Sequence, residues 1–339
     1  MKLQILIPHY EETADVIKPL LDSLAIQQNV DFNEIGIIIC HDGPSAKDFY
    51  FTDCTNLVDP GSMMLLDNYP FKIEQIRQEH NGVSAARNSC LDAATADYVM
   101  FCDADDMFFN SCGLWIIFRE FQNGGFDSLT SVFLEESRIP GTEELTYINH
   151  EMDSTFVHGK VHRRQYLLDN KIRWNPKLTI HEDSFFNIQC ANLSDNVKYC
   201  QSPFYLWKWR DDSVCRHDPK YILKTYKNLI DSNDALIDEF IKRSVFDKAL
   251  FFTAFMIFDA YYTMNKPEWI NQENKEYRDS TEKRFADYYK KRRGLWVQVP
   301  MNDKMVISNQ IRTRSVQEGM MMEAITIDNW LKHIEELGR

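Results

Sequence analysis

No run of this 339-residue chain is long and apolar enough to cross a bilayer. The longest, residues 249–258, stops far short of the about 20 residues that a spanning helix needs, and it reads as a core helix. The amino end shows no cleavage site, since Met1-Lys2 leads directly into a strand-like run, and no signal peptide is expected. The eight cysteines (Cys40, Cys54, Cys90, Cys102, Cys112, Cys190, Cys200, Cys215) form no C-x-x-C pair. Several fall in apolar runs, which points to reduced core thiols in a cytoplasmic protein, with peripheral attachment at a membrane surface left open. Internal repeats, low-complexity tracts and flexible Gly/Ser linkers are missing, which excludes a repeat array. No G-x-G-x-x-G follows the first strand and no G-K-[ST] occurs, so the dinucleotide fingerprint and the P-loop are both absent. A nucleotide bound here needs another scheme, with a metal taking its phosphates.

What the chain does have is apolar mass: 44% of it is hydrophobic and 13% aromatic, enough for one large domain or a domain with an appendage. Its net charge of −13 argues against a nucleic-acid binder. Residues 281–314 break the trend, with nine Lys/Arg against three Asp/Glu.

Residues 3–7 form a continuous apolar strand closed by Pro8. Val16, Leu20, Leu21 and Leu24 then recur at helical spacing, with Thr13 as a cap and Pro19 blurring the start. Residues 34–40 make a second buried strand ending at His41-Asp42-Gly43, residues 71–76 a third and residues 98–102 a fourth. The Ala-rich segment 83–95 is helical, and the stretch up to Tyr69 is uneven, with a turn at Pro60-Gly61. This alternation with short connections predicts a layered α/β fold around a parallel sheet.

Further on, the pattern predicts helices over 111–121, 163–169 and from His181-Glu182-Asp183 onward. Strands are expected over 128–133, 145–148, 197–201 and 204–209. Beyond Tyr221 the chain turns helical, with Ile222, Tyr226, Leu229, Leu236 and Phe240 on one face. Residues 246–264 are apolar nearly all round and read as the central helix of an appendage. A last helix spans 325–337.

The fourth strand carries the strongest chemical signal. It ends in Asp103, Asp105 and Asp106, with Ala104 between the first two. Carboxylates crowded at the end of a buried strand are costly unless a cation or hydrogen-bond donors neutralise them. Oxygen ligands at this density suit Mg²⁺ or Mn²⁺, while an Asp-rich turn capping the next helix is the simpler alternative. An EF-hand is excluded: counting from Asp103, Phe108 and Leu114 stand where Gly and Glu are required. In parallel sheets, ligands bind beyond the carboxyl ends of the strands. Pro8-His9-Tyr10, Asp42-Gly43 and the Asp cluster all fall there, so one crevice can collect them.

These residues, in this order, resemble the GT-A glycosyltransferases of family two, over about residues 1–217. Ile7-Pro8-His9-Tyr10-Glu11-Glu12 resembles the family's opening motif, which places Pro8, Tyr10 and Glu12 around the nucleoside. His41-Asp42-Gly43-Pro44-Ser45 resembles its second-strand acidic motif, with Asp42 on uracil. Asn81-Gly82-Val83-Ser84-Ala85-Ala86-Arg87-Asn88 is close to its most recognisable segment, where Arg87 approaches the diphosphate and Gly82 lets the backbone pass. Asp103-Ala104-Asp105 matches the metal-binding D-x-D, with Asp105 the more direct ligand. His41 and His9 stand where the family varies, and nothing between Asp42 and Phe71 matches.

The resemblance also implies a catalytic base at Asp183, with Glu182 as its partner, because an acceptor hydroxyl is a poor nucleophile until a carboxylate takes its proton. His158 and Lys160 would line the acceptor side. Arg210, Ser213 and Arg216 belong to a loop that would close over the diphosphate, and His217 would be a further metal ligand. The implied architecture is a GT-A fold over 1–218, a Rossmann-like and mostly parallel sheet flanked by helices, followed by a helical region over 219–339. The implied activity is inverting, Mn²⁺- or Mg²⁺-dependent transfer of a hexose or N-acetylhexosamine from a nucleoside-diphosphate sugar, UDP-linked, to a hydroxyl. A nucleotide-sugar or polyanion binding protein without catalysis is the alternative. The basic stretch, with Phe285, Tyr288 and Tyr289 among its cations, suggests docking of an anionic acceptor such as a polyol phosphate polymer, nucleic acid or glycan. A helix whose aromatics pack inward accounts for it equally.

Overall fold

Seven residues in a row, Leu3 to His9, are buried in strand β1 (Leu3–His9), because its two faces pack against different helices. Leu3, Ile5 and Ile7 share one core with Ile17, Leu20, Leu21 and Leu24 of helix α1 (Ala14–Ala25). Leu6 points the other way, into a core with Ala86, Cys90 and Leu91. The computed structural model describes residues 1–43, 50–51, 57–59, 64–66, 69–211, 213, 218, 220–317 and 326–338. They fall into two units, Met1–Asp212 and Ser213–Arg339.

In the first unit β2 (Ile35–Asp42) follows α1, and then come three short strands that form a sheet of their own. These are β3 (Tyr50–Phe51), β4 (Leu57–Asp59) and β5 (Met64–Leu66). Next are β6 (Lys72–Gln78), α2 (Val83–Ala93), β7 (Tyr98–Phe101), β8 (Met107–Phe108) and α3 (Gly113–Gln122). The unit ends with β9 (Ser128–Arg138), β10 (Leu145–His150), β11 (Lys160–Arg163), α4 (Arg164–Asp169), α5 (Glu182–Asn192) and β12 (Val197–Trp207).

The main sheet has the order β6-β2-β1-β7-β11-β9-β12-β8, with β10 on β9. Its first four strands are parallel, as expected. Beyond β7 the sheet is mixed: β12 runs parallel to β9, while β11 runs antiparallel to both its neighbours and β8 and β10 run antiparallel to theirs. The short 139–144 connection between β9 and β10 permits only a hairpin, whereas parallel neighbours need a crossover.

Two local expectations also change. The strands expected at 197–201 and 204–209 are one strand, β12, whose register slips between Cys200 and Tyr205 around Pro203. Pro19 lies inside α1 and does not set its start; packing of the apolar face outweighs one lost hydrogen bond. Thr13 is the N-cap residue, yet its side chain makes no capping bond. The six described cysteines Cys40, Cys90, Cys102, Cys112, Cys190 and Cys200 are free thiols.

The second unit is helical: α6 (Tyr221–Lys242), α7 (Phe246–Met264), α8 (Pro267–Ile270), α9 (Lys275–Gln298), α10 (Met301–Gln317) and α11 (Ile327–Leu337). Helix α7 packs against α6, α9 and α10, as its all-round apolarity requires. Ile222, expected on the inner face of α6, is 63% exposed; Leu223, Tyr226, Ile230 and Ile237 are buried instead. No described helix is long and apolar enough to cross a membrane.

The basic stretch lies on α9. Phe285, Tyr288 and Tyr289 are buried, and the Tyr288 hydroxyl donates to Asn233 Oδ1 at 3.0 Å. Arg284, Lys291 and Arg292 pair with Asp231, Asp234 and Asp238 of α6, and Arg293 pairs with Glu335. Most of the cations between Lys283 and Arg293 are thus engaged within the unit, which assigns them to packing of α9. Arg292 is 3% exposed and binds Asp234 and Asp238, each at 2.7 Å. Truncation to Ala removes the bonds to Asp234 Oδ1 while Arg284 and Lys291 keep Asp234 Oδ2 paired at 3.3 and 3.1 Å. Arg292→Ala should therefore lower the unfolding free energy by about 2 kcal/mol, the scale of a hydrogen bond to a charged group, read from denaturant unfolding. A change below about 0.5 kcal/mol, the size of a surface effect, would show the pairing to be ornamental.

Candidate active site

β1, β2 and β7 are in parallel register, so their carboxyl ends open on the same edge of the sheet. A cleft of about 310 Å³ lies there. It is lined by Pro8 near the end of β1, Tyr10 and Glu12 just past it, Asp42 at the end of β2, Arg87 of α2, and Asp103, Ala104 and Asp105 after β7. His9, His80, Val83 and Ala86 complete it. Eight of the residues singled out from the sequence are thereby brought into one place.

The tip of β1 is fixed locally. Glu12 Oε2 accepts from the Tyr10 backbone N–H at 2.8 Å, leaving the Tyr10 ring 43% exposed beside His80, with centroids 4.3 Å apart. Asp42, expected on uracil, is buried and heavily engaged. Its Oδ1 accepts from Gln78 Nε2 at 2.7 Å and Asn81 N at 2.8 Å, its Oδ2 from Gly82 N at 2.8 Å, and His80 Nδ1 lies 3.0 Å from Oδ2. It thus pins the loop that opens α2. Gly82 sits there at φ +85°, where any side chain is strained.

Arg87 is the hub. Its side chain is 3% exposed and stacks on the Trp174 ring, 4.4 Å from the centroid. Nη2 donates to Asp103 Oδ1 at 2.8 Å, and Nη1 to Asp183 Oδ1 at 2.7 Å and Glu182 Oε1 at 3.1 Å. One guanidinium therefore ties the strand-end motif to the carboxylates that open α5. Burial works against its charge, but Asp183, Asp103 and Glu182 together hold it firmly cationic. For Asp103 burial pushes upward, and Arg87 outweighs it to hold the carboxyl below its usual range.

Asp183 behaves differently. Burial pushes its carboxyl up to about 7, against the pull of Arg87, with Glu182 and Asp103 adding to the rise. Its Oδ2 accepts from the Val157 N–H at 3.2 Å. The residue before α5, His181, sits at φ +63°, so the chain turns sharply just ahead of the two carboxylates.

Asp105 is one-third exposed and its Oδ2 accepts from Arg210 Nη1 at 2.9 Å. Burial and the charge of Asp103 raise its carboxyl. Asp106, absent from the expected site, is 1% exposed and its carboxyl is pushed well up by burial, then by Asp105 and Asp103. The Tyr205 hydroxyl donates to its Oδ2 at 2.6 Å and accepts from Asp103 N at 3.2 Å. His158 Nδ1 lies 3.5 Å from the same oxygen, buried and without a hydrogen-bond partner. Asp103, Asp106 and His158 offer donor atoms within 4.8 Å of one another.

His158 and Lys160, expected on an acceptor surface, are 4% and 2% exposed. The His158 ring is stacked near Phe156, Tyr205 and Trp207, and burial drives its pKa down to about 3. Ser213 begins the second unit, while Arg216 and His217 lie outside the described residues. Asp106 had a signal, as the third carboxylate at the strand end. Trp174 had none, since only the fold brings its ring under Arg87.

The profile of glycosyl transferase family 2 matches residues 4–171. The chain is 22% identical to EpsH of Bacillus subtilis (strain 168), which is named as a glycosyltransferase, over 254 residues, 70% of each chain. It is 23% identical to EpsJ of the same organism, named as an uncharacterized glycosyltransferase, over 236 residues, 62% of each. Among solved structures, S. aureus TarS 1-349 aligns with a TM-score of 0.59 at 14% identity, over 97% of this chain and 95% of that one. TarS 1-349 in complex with UDP-GlcNAc gives 0.61 at 15%, with the same coverage. At such identities the structural likeness speaks for the fold, and the sequence profile for the family. The chain is a glycosyltransferase, with residues 4–171 belonging to family 2 on a GT-A fold.

Proposed function

We propose that this enzyme transfers a hexose or N-acetylhexosamine from a UDP-sugar to an acceptor hydroxyl, with inversion and with the help of Mn²⁺ or Mg²⁺. The observation that carries this reading is the strand-end cleft in which Asp42, Arg87, Asp103 and Asp105 meet, joined through Arg87 to Asp183. The exposed Tyr10 ring beside His80 suits the flat face of a base. The UDP and UDP-GlcNAc complexes of TarS support a uridine donor.

The donor set fits a hard divalent cation. Asp103 and Asp105 each meet one guanidinium, of Arg87 and of Arg210, Asp106 takes the Tyr205 hydroxyl, and His158 Nδ1 lacks a partner beside Asp106. Asp105 and Asp103 would hold the ion, with Asp106 and His158 adjacent. Bound there, it supplies positive charge against the diphosphate that leaves.

The chain's own residues do the rest. Among the described residues Asp183 Oδ2 accepts from the Val157 N–H alone, which leaves lone-pair capacity for the acceptor's proton. With a pKa near 7 it is ionised often enough to act and basic enough to be useful. Inversion follows from one base opposite the leaving group.

The test is UDP release from a panel of UDP-sugars in Mn²⁺. One sugar should be hydrolysed slowly without acceptor and identify the donor. Excess chelator should abolish release and added Mn²⁺ restore it, while Asp105→Ala should match the chelated enzyme. Full activity in chelator would overturn the metal assignment.

A further inference from the structure

Lys160 is a lysine with almost no water around it. Its side chain is 2% exposed in β11, and its ammonium donates to the Phe156 carbonyl, with Asp153 Oδ1 3.7 Å away. Those partners belong to one tight turn. Asp153 Oδ1 accepts from Thr155 N at 2.7 Å and Phe156 N at 2.8 Å, which folds the turn on itself. From the other side, Asn187 Nδ2 of α5 donates to the Thr155 and Phe156 carbonyls, each at 3.0 Å. The next residue is Val157, whose N–H holds Asp183 Oδ2. Gly159 sits at φ +65°, where a Cβ would come within 2.4 Å of Ser131 Oγ, so the chain is pressed tightly against β9 just before Lys160.

From this geometry we infer that Lys160 is a positioning residue for the base: it clamps the 153–157 turn so that the Val157 N–H fixes Asp183. The inference rests on Asp183 acting as the base. A merely structural lysine has cheaper solutions, since a buried charge of this kind is often replaced by an apolar residue without loss of stability. Burial lowers the Lys160 pKa to about 8, with Asp153 and then Asp183 among the charges that hold its proton. The remaining groups around Asp183 are Arg87, Glu182 and Asp103, and Arg87 is shared among all three carboxylates. Lys160 is the cation whose loss leaves that sharing intact.

The experiment compares Lys160→Met, Lys160→Arg and Asp183→Asn by pH dependence of kcat, UDP affinity and Tm. Lys160→Met should move the acid limb of kcat upward by about one pH unit, lowering the rate about tenfold below neutrality and recovering it in alkali. UDP affinity should stay near wild type. Lys160→Arg should keep the limb nearer its native place than Met does, even if Tm falls. If Asp183→Asn abolishes transfer while the limb of Lys160→Met does not move, this inference fails and the base assignment stands. If Asp183→Asn transfers normally, the base assignment itself is wrong and the inference falls with it. An Asn187→Ala variant, with one side of the clamp loosened, should lower kcat without weakening UDP binding. Equal losses of kcat and UDP affinity in both would mark the turn as general scaffold.

Discussion

Asp183→Asn is expected to lose transfer by about a hundredfold or more, the usual scale of general base catalysis. Asn keeps the shape, and its amide oxygen can still accept from Val157 N–H or from Arg87. It cannot take a proton. UDP affinity should remain within a few-fold of wild type, so the loss appears in kcat. The wild-type profile provides a second check. A base pushed up to about 7 is active only when deprotonated, so kcat should rise with pH through about 7 and level off above it. The variant should lack that limb. Wild-type rates from the Asn variant at pH 7 would send the search for the base elsewhere.

Arg87→Met is expected to be the most damaging single change in the first unit. Methionine can occupy the space over Trp174, but Asp103, Glu182 and Asp183 then face one another without their shared guanidinium. Removing one partner of a buried ionic cluster costs about 3–5 kcal/mol. The pH dependence has a definite sign. In the wild type, Arg87 holds Asp103 below its usual range, which stabilises the fold above the unfolded carboxylate pKa and is lost as pH falls. Without Arg87 the clustered carboxyls should titrate above their unfolded values, so the variant gains stability on protonation. The stability gap between the two proteins should narrow as pH drops from 7 to 4. Denaturant midpoints across that range measure it, and a gap independent of pH would mean that lost packing on Trp174, not charge, is the cause.

Charge also explains how far the sequence could be read. The apolar runs of β1, β2 and β7 and the Ala-rich α2 are legible because local burial decides them. The placing of the residues at their ends follows from register, since parallel strands open at one edge. Asp42, Arg87, Asp103 and Asp105 were therefore found in advance, and so was their meeting place. The carboxylates that open α5 were also legible as a pair. Their distance from Asp103 was not, because residues so far apart in the chain meet only once the sheet has closed and Arg87 has been drawn between them.

Sequence alone thus determined the layered α/β architecture, the gathering of Asp42, Arg87, Asp103 and Asp105 at the strand ends and the helical second unit, since each rests on hydrophobic period and residue type over short windows. Tertiary structure decided what cations and aromatics are for. Asp42 pins a loop, Lys160 lies buried beneath the turn that holds Asp183, and Arg284, Lys291 and Arg292 of α9 are paired with α6. The composition of a charged stretch does not say whether its charges face water or one another. Only packing fixes the dielectric around a charge and the distance to its partner, and those two quantities set its energy.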